Sequence, residues 1–415
     1  MAQVTNYTYN AAGQIHTITQ PSPGGTTTFN YNSNSYLTSI DGPLSGSNDV
    51  TTFGHDSFGR VSSVSDSEGY TLTFAYDAYD RPTTVTYPDG TYEQVTWNLL
   101  DPVMLRDRLG RWTSQQFDSL RQLTVVTDPL GHSTRYSWCT CGGLASITDP
   151  AGNVTGWQRD SQGRPTLKTY PDGKTTSYTY ENSTSRLKTV TDALGQVKTY
   201  GYNDDDSLSG IAYSRTVNAT SNVSLTYDAN YPRLTSIGNG YGTYSYSYNP
   251  YVTDPYGSAA TGAGQVSQIT NSGLGNATIA YTYDALGRVT NRSINGSANS
   301  ASWSFDAMNR VTSIGNVLGT FTPTYIDQGA GGGDKGTTRL ASMTYPNGQV
   351  TNYSYFPTAN DERLQEIKNV NPSGAVLSQF DYTYDARARS PRGSARPTAT
   401  PPPATIWPTT RPASS

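Results

Sequence analysis

The chain has 415 residues and a formal charge of -4, with hydrophobic residues at 34% and charged residues at 14%. That balance offers no basic footprint for nucleic-acid phosphates or anionic membranes, and no run approaches the roughly 18 apolar residues that span a bilayer. Thirty-two tyrosines against nine phenylalanines put a hydroxyl on most of the aromatic surface, which suits a half-wet β framework better than an oily core.

From the N-terminus, Met1 to Asn10 lacks the basic start and apolar stretch of a signal peptide. A repeat begins at once with YTYNAAGQI from Tyr7. It returns as FGHDSFGRV with Asp56, Gly59 and Arg60, and as FAYDAYDRP with Tyr76, Asp77 and Arg81. Weaker copies start at Phe117 and Tyr200, and WQRDSQGRP carries Asp160, Gly163 and Arg164. Further on come LTYDANYPRL from Leu225, YTYDALGRV with Tyr281, Tyr283, Asp284, Gly287 and Arg288, and WSFDAMNRV with Asp306 and Arg310; the last copy starts at Tyr382. A second signal interleaves: TYPDG at Pro88, Asp89 and Gly90, TDPLG at Asp128 and Gly131, TDPAG at Asp149 and Gly152, and TYPDG again at Pro171, Asp172 and Gly173. The period is about 21 residues, as from Asp56 to Asp77.

Each period reads as two short strands and two turns. Tyr281 and Tyr283 leave one face of a strand, and Asp284 starts the turn by accepting N–H groups two residues on. Gly287 supplies the positive φ of the turn exit, and Arg288 lies within reach of Asp284. In TYPDG the proline pre-sets φ and Asp-Gly makes the corner. No helical period competes, so the fold class is all-β: a meander that keeps adding strands, with almost no helix. The array is expected over residues 3–385, with looped interruptions near 250–275 and 327–337; the stretch GAGGGDKG (Gly329 to Gly336) is flexible by composition. Residues 386–415, rich in Pro and Arg, read as a disordered tail, and the array as a piece of a longer one.

The YTYDALGRV, TDPLG and TYPDG strings in this register resemble the YD repeats of bacterial Rhs proteins and of the related C components of toxin complexes, with teneurins as animal relatives. The resemblance covers roughly residues 3–385. It implies a sheet wound into a curved or partly closed β-shell around a C-terminal toxin, closed by a segment with self-cleaving aspartates. No PxxGRFxxxDPxG-type segment and no toxin domain is found here, so no cleaving residue carries over.

Catalytic chemistry finds little to use. His16, His55 and His132 occupy repeat positions held elsewhere by other residue types, and GxSxG, HExxH and P-loop motifs are absent. Asp204, Asp205 and Asp206 read as a solvated turn, and Cys139 and Cys141 as two ordinary thiols short of a zinc ligand set. No catalytic residue, metal or cofactor is expected. The tyrosine rings read first as core and second as sugar platforms, with Tyr244, Tyr246 and Tyr248 as candidate carbohydrate contacts. A propeller enzyme needs alternating units of about 42 residues, against which the equivalent copies at Asp56 and Asp77 count.

The expected function is a non-catalytic wall segment of a secreted or surface-delivered bacterial polypeptide. Its partners would be the remaining repeats and a C-terminal effector; glycans belong to the alternative reading of a carbohydrate-binding adhesion module. Open strand edges would also favour self-association.

Overall fold

In the computed structural model, residues 4–22, 24–46, 48–252, 261–326 and 334–384 are described, together with the backbone of 394–396. They form one sheet of 34 strands. Each strand pairs antiparallel with the next in chain order, from Asn6–Tyr9 and Ile15–Gln20 at one end to Val376–Asp381 and Ser394–Arg396 at the other. Among the described residues, three single-turn 3-10 segments interrupt the strands. Two strands and two turns per repeat follow directly from the two interleaved sequence signals, and a continuous meander leaves no place for propeller blades.

The two signals sit on opposite rims of this sheet. Turns of the YD type, such as Asp56 to Arg60 and Asp284 to Arg288, close the hairpins along one rim, here called the clasp rim. Turns of the TYPDG and TDPLG type, such as Tyr87 to Thr91 and Asp128 to His132, close those along the second rim. Strand alternation also gives the sheet two different faces. Leu72 and Phe74 share one with their partners Val64 and Val85, whereas Thr73 faces Ser63 and Thr86 on the other. On that second face hydroxyls bond across strands, as between Ser137 and Ser146 at 2.7 Å and between Thr179 and Thr189 at 2.6 Å.

The expectation that the tyrosines would pack as a core is not met. Tyr325 is the one buried hydrophobic residue among those described, and no side chain is fully buried. A single layer of sheet leaves both faces partly wet, so stability rests on backbone ladders, cross-strand pairs and rim contacts.

Curvature has a local cause. In the clasp hairpins the register slips at the turn: Ala75 pairs with Thr84 but Tyr76 pairs with Pro82, leaving Thr83 as an extra residue. The same slip recurs at Tyr180 with Leu187 and at Tyr283 with Val289. The second-rim hairpins of these repeats run without it, as between Ser63 with Thr73 and Ser65 with Thr71. A bulge bends its strand and increases local twist, so bulges repeated along one rim curl the sheet.

The sheet thereby completes a circuit. Tyr70 and Asp361, 291 residues apart in sequence, meet through a 3.1 Å hydrogen bond. From the turn at Ser67 to the loop at Lys335, which accepts its hydroxyl hydrogen bond, is roughly 23 strand spacings of about 4.8 Å, a circumference of about 110 Å and a diameter of about 35 Å. The clasp rim of the second circuit lies on the second rim of the first. No ladder joins the first strand to the last among the described residues, so the sheet is curled but unclosed.

Within the interruption expected near 250–275, Val266–Asn271 forms a strand, and the Asn249 N–H donates to Gln265 across the loop before it. Of the tail 386–415, Ser394–Arg396 pairs antiparallel with Val376–Asp381, and the rest lies outside the described residues.

Candidate functional site

The repeated chemistry of this chain is concentrated in the clasp turns. Asp284 Oδ1 accepts the N–H groups of Leu286 at 2.9 Å and Arg288 at 3.0 Å, and its Oδ2 accepts Arg288 Nε at 2.6 Å. The same clasp holds Asp56 with Arg60, Asp77 with Arg81, Asp160 with Arg164, and Asp306 with Arg310. The hydrogen bond from Arg81 holds the Asp77 carboxyl below its ordinary range, and that from Arg164 does the same for Asp160. Gly59, Gly163 and Gly287 take φ of 83°, 79° and 78° at the exit. Asp80 and Asn309 fill the same left-handed position, which Asn and Asp tolerate better than other residues with a Cβ.

Each clasp also grips the next repeat. The Tyr76 hydroxyl donates to Val61 O at 2.8 Å, and Tyr180, Tyr202 and Tyr283 make the corresponding bonds to Pro165, Leu187 and Val266. Arg288 lies 4.6 Å from the Phe305 ring centroid, and Arg164 lies 4.3 Å from that of Tyr180. Arg288 Nη1 donates onward to Asp306 O at 3.0 Å. The final aromatic residue of the motif is thus a staple between hairpins. The sequence showed its spacing but not its acceptor, which lies about 15 residues upstream.

On the second rim, Asp128 Oδ1 accepts from Leu130 and His132, and Asp149 Oδ1 from Ala151 and Asn153. Gly90, Gly131, Gly152 and Gly173 all have positive φ at the corresponding exits. Asp172 pairs with Lys174 at 2.9 Å. Asp89 departs from this local pattern, because Arg108 of the neighbouring turn reaches it at 2.7 Å, and Arg108 in turn pairs with Asp361 at 2.5 Å across the circuit. Arg108 and Asp361 side chains are only 10% and 7% exposed. Beside them Arg339 pairs with Glu68 and Glu362, and Gly336 packs so closely that a Cβ would lie 2.7 Å from Asp49 Cβ. The sequence marked Asp89 as a turn aspartate and Gly336 as the end of a glycine-rich stretch, but not the seam pairings, since Arg108 and Asp361 lie a full circuit apart.

The remaining candidates fall at turns or along strands. His16 Nδ1 lies 3.1 Å from Phe29 O, His55 stacks on Tyr36 at 5.3 Å, and His132 Nδ1 lies 3.2 Å from Asp128. Asp205 caps its own turn through Ser207, and Asp206 pairs with Arg186 at 2.8 Å. Tyr244, Tyr246 and Tyr248 line one face of Gly242–Tyr248, half-buried, with the Tyr248 hydroxyl donating to Leu234 O. Asp66, Glu68 and Glu362 come close enough for an ion, but Arg339 already occupies that cluster as a counter-charge.

The cysteines differ from expectation. Cys139 and Cys141 are joined as a disulfide, with Cα atoms 5.1 Å apart. They occupy the first and third positions of a clasp turn, whose Cys139 N–H to Gly143 O bond brings them within disulfide range. This repeat has Gly143 where others have Arg. Arg159 of the next repeat fills the space, donating to Leu144 O from the position that tyrosine holds elsewhere.

The family model of the RHS repeat matches residues 55–92, 142–175 and 160–197. Among solved structures, the chain is similar to the TcdB2-TccC3-Cdc42 crystal structure at 16% identity and a TM-score of 0.68, covering 95% of this chain and 22% of that one. It is also similar to TcdB2-TccC3 at 15% identity and a TM-score of 0.68, and to the Photorhabdus luminescens Tc holotoxin pore at 15% and 0.67. The chain spans 22% of the length of each of these. At such identities the likeness is one of fold. No curated protein matches the chain.

Proposed function

We propose that this chain, which carries RHS repeats, serves as a non-catalytic wall segment of a longer Rhs-type polypeptide that encloses or presents a C-terminal effector. The observation that carries this reading is the full circuit made by a single-layer sheet whose rims meet, at Tyr70 with Asp361, with Tyr325 the one buried hydrophobic side chain among the described residues. A sheet of this kind separates an inside from an outside and does little else. Its repeated carboxylates are engaged by turn N–H groups and arginines, which fits structural work.

On this reading the partners are further repeats and the effector, and the polypeptide is secreted or displayed at the cell surface. No helix of the described residues is long and apolar enough to cross a membrane. Limited proteolysis of the parent polypeptide tests the proposal. The effector should be protected while the array is intact and become cleavable when Arg60 and Arg288 are changed to Ala; equal digestion in both would overturn it. A glycan array addresses the adhesion alternative, for which saturable binding lost in Tyr246→Ala would be the supporting result.

A further inference from the structure

We propose that the Cys139–Cys141 disulfide is a thiol–disulfide exchange site, opened by a small thiol of the glutathione class. A clasp turn builds an anion site at its first position. In the turns at Asp56, Asp160 and Asp284 the N–H groups of the third and fifth residues donate to the carboxylate, and the arginine at the fifth position adds its guanidinium. The cysteine turn keeps that backbone. Cys139 N–H donates to Gly143 O and Gly142 N–H to Cys139 O, both at 2.9 Å, as Asp56 does to Arg60 and Gly59 to Asp56. Gly142 has φ 78°, against 83° at Gly59. The third and fifth N–H groups, on Cys141 and Gly143, meet no acceptor among the described residues. A guanidinium is kept as well, though it comes from the next hairpin: a Cβ on Gly143 would lie 2.5 Å from Arg159 Nε. Arg159 donates to the carbonyls of Leu144 and Gly163 and pairs with no carboxylate among the described residues.

Two free N–H groups beside an uncompensated guanidinium suit a thiolate, and Cys139 holds the position they serve. While the disulfide is closed, its sulfur is bonded to Cys141 and carries no charge. Cys141 is exposed and Cys139 half-buried, so an incoming thiolate reaches Cys141. A mixed disulfide forms there, the bond to Cys139 breaks, and its electron pair leaves on Cys139 as a thiolate held by the turn. A second thiolate attacks the external sulfur of the mixed disulfide and releases the oxidised small thiol. Two thiols are oxidised and one protein disulfide is reduced; of the two thiol protons, one ends on Cys141 and one in solvent. Stabilising the leaving thiolate speeds the first step and favours the reduced pair. A bridge between residues two apart constrains little of the unfolded chain, which sets this disulfide apart from a structural staple. The backbone bonds of the turn do not depend on it, so the hairpin persists when it opens.

Cys139 and Cys141 are the two cysteines of the chain, so alkylation followed by intact mass reads the site in the full-length protein. In excess reduced glutathione both thiols should appear within minutes, with circular dichroism and melting nearly unchanged. A brief exposure quenched with an alkylating agent should leave glutathione on Cys141 and the alkyl group on Cys139 in the peptide map. Arg159→Tyr installs the residue that other repeats carry at this position and removes the charge. Its half-reduction should need a glutathione buffer about tenfold more reducing than wild type, whereas Arg159→Lys, which keeps the charge, should stay near wild type. A pair that stays closed in excess reduced glutathione overturns the proposal, and so does glutathione found on Cys139. An Arg159→Tyr midpoint equal to wild type, or a fold that collapses on reduction, overturns it as well. The wall reading does not use the cysteines and survives each of these outcomes.

Discussion

The guanidinium of Arg60 lies 4.7 Å from the ring centroid of Tyr76, while its Nη1 donates to Asp77 O at 3.1 Å and to Asp80 Oδ1 at 2.8 Å. One side chain thus closes its own turn on Asp56 and holds the next one in place. Tyr76 answers by donating to Val61 O, one residue beyond Arg60. Repeated along the clasp rim, this exchange fixes each hairpin against the following one and replaces the core that a single-layer sheet lacks.

Tyr76→Phe removes the staple and keeps the ring. It should cost about 0.5 to 1.5 kcal/mol, the net worth of one hydrogen bond. Arg60→Ala also removes the stacking and the Asp56 ion pair, so its denaturant midpoint should fall further than that of Tyr76→Phe. Equal midpoints would show that the arginine acts within its own turn alone.

Gly287 sits at φ 78°, where a β-branched residue is strained, so Gly287→Val should cost at least about 1 to 2 kcal/mol. Asn309→Gly at the equivalent exit, φ 63°, keeps the backbone conformation but loses the 2.8 Å hydrogen bond from Arg288 Nη1, so it should cost less than Gly287→Val, about 1 kcal/mol or under. His16→Ala should leave the melting temperature unchanged. Melts in the reverse order would remove the turn from its central role.

Asp77 and Asp160 carry carboxyls held below the ordinary value of 3.8 by the hydrogen bonds from Arg81 and Arg164. Because folding lowers these values, the unfolded chain binds protons first, and the stabilisation is present above about pH 4 and lost as pH falls through the folded values. The melting temperature should stay nearly level from about pH 7 to 5 and drop below about pH 4. In Asp77→Asn and Asp160→Asn combined, the acid drop should be shallower.

The seam should yield to a single change. Arg108→Met leaves Asp89 and Asp361 buried together without the guanidinium they share, with Arg363 at 3.7 Å still beside Asp361, a loss of up to about 3 kcal/mol by the behaviour of broken buried pairs. Hydrogen exchange should then speed up at residues 358–362 and 66–70 while the clasp turn at Asp160, away from the seam, keeps its protection. Uniform loss of protection would mean that the circuit and the sheet are one cooperative unit.

Alternating strands and turns, the Asp284 to Arg288 clasp and the positive φ at Gly287 were legible in the chain because their hydrogen bonds span at most four residues. The same locality explains why substitutes such as Asp80 and Asn309 could be placed in register. Other features carried no local mark. The bulge at Thr83 arises from how two strands pair, and the tyrosine hydroxyls find acceptors only once neighbouring hairpins are aligned. The glycine-rich stretch that composition marks as flexible ends in Gly336, whose missing Cβ lets one circuit approach the other at Asp49. Arg108 and Asp361 meet for a reason that no residue encodes by itself: many small bends add up to a circumference, and that sum fixes which turn faces which.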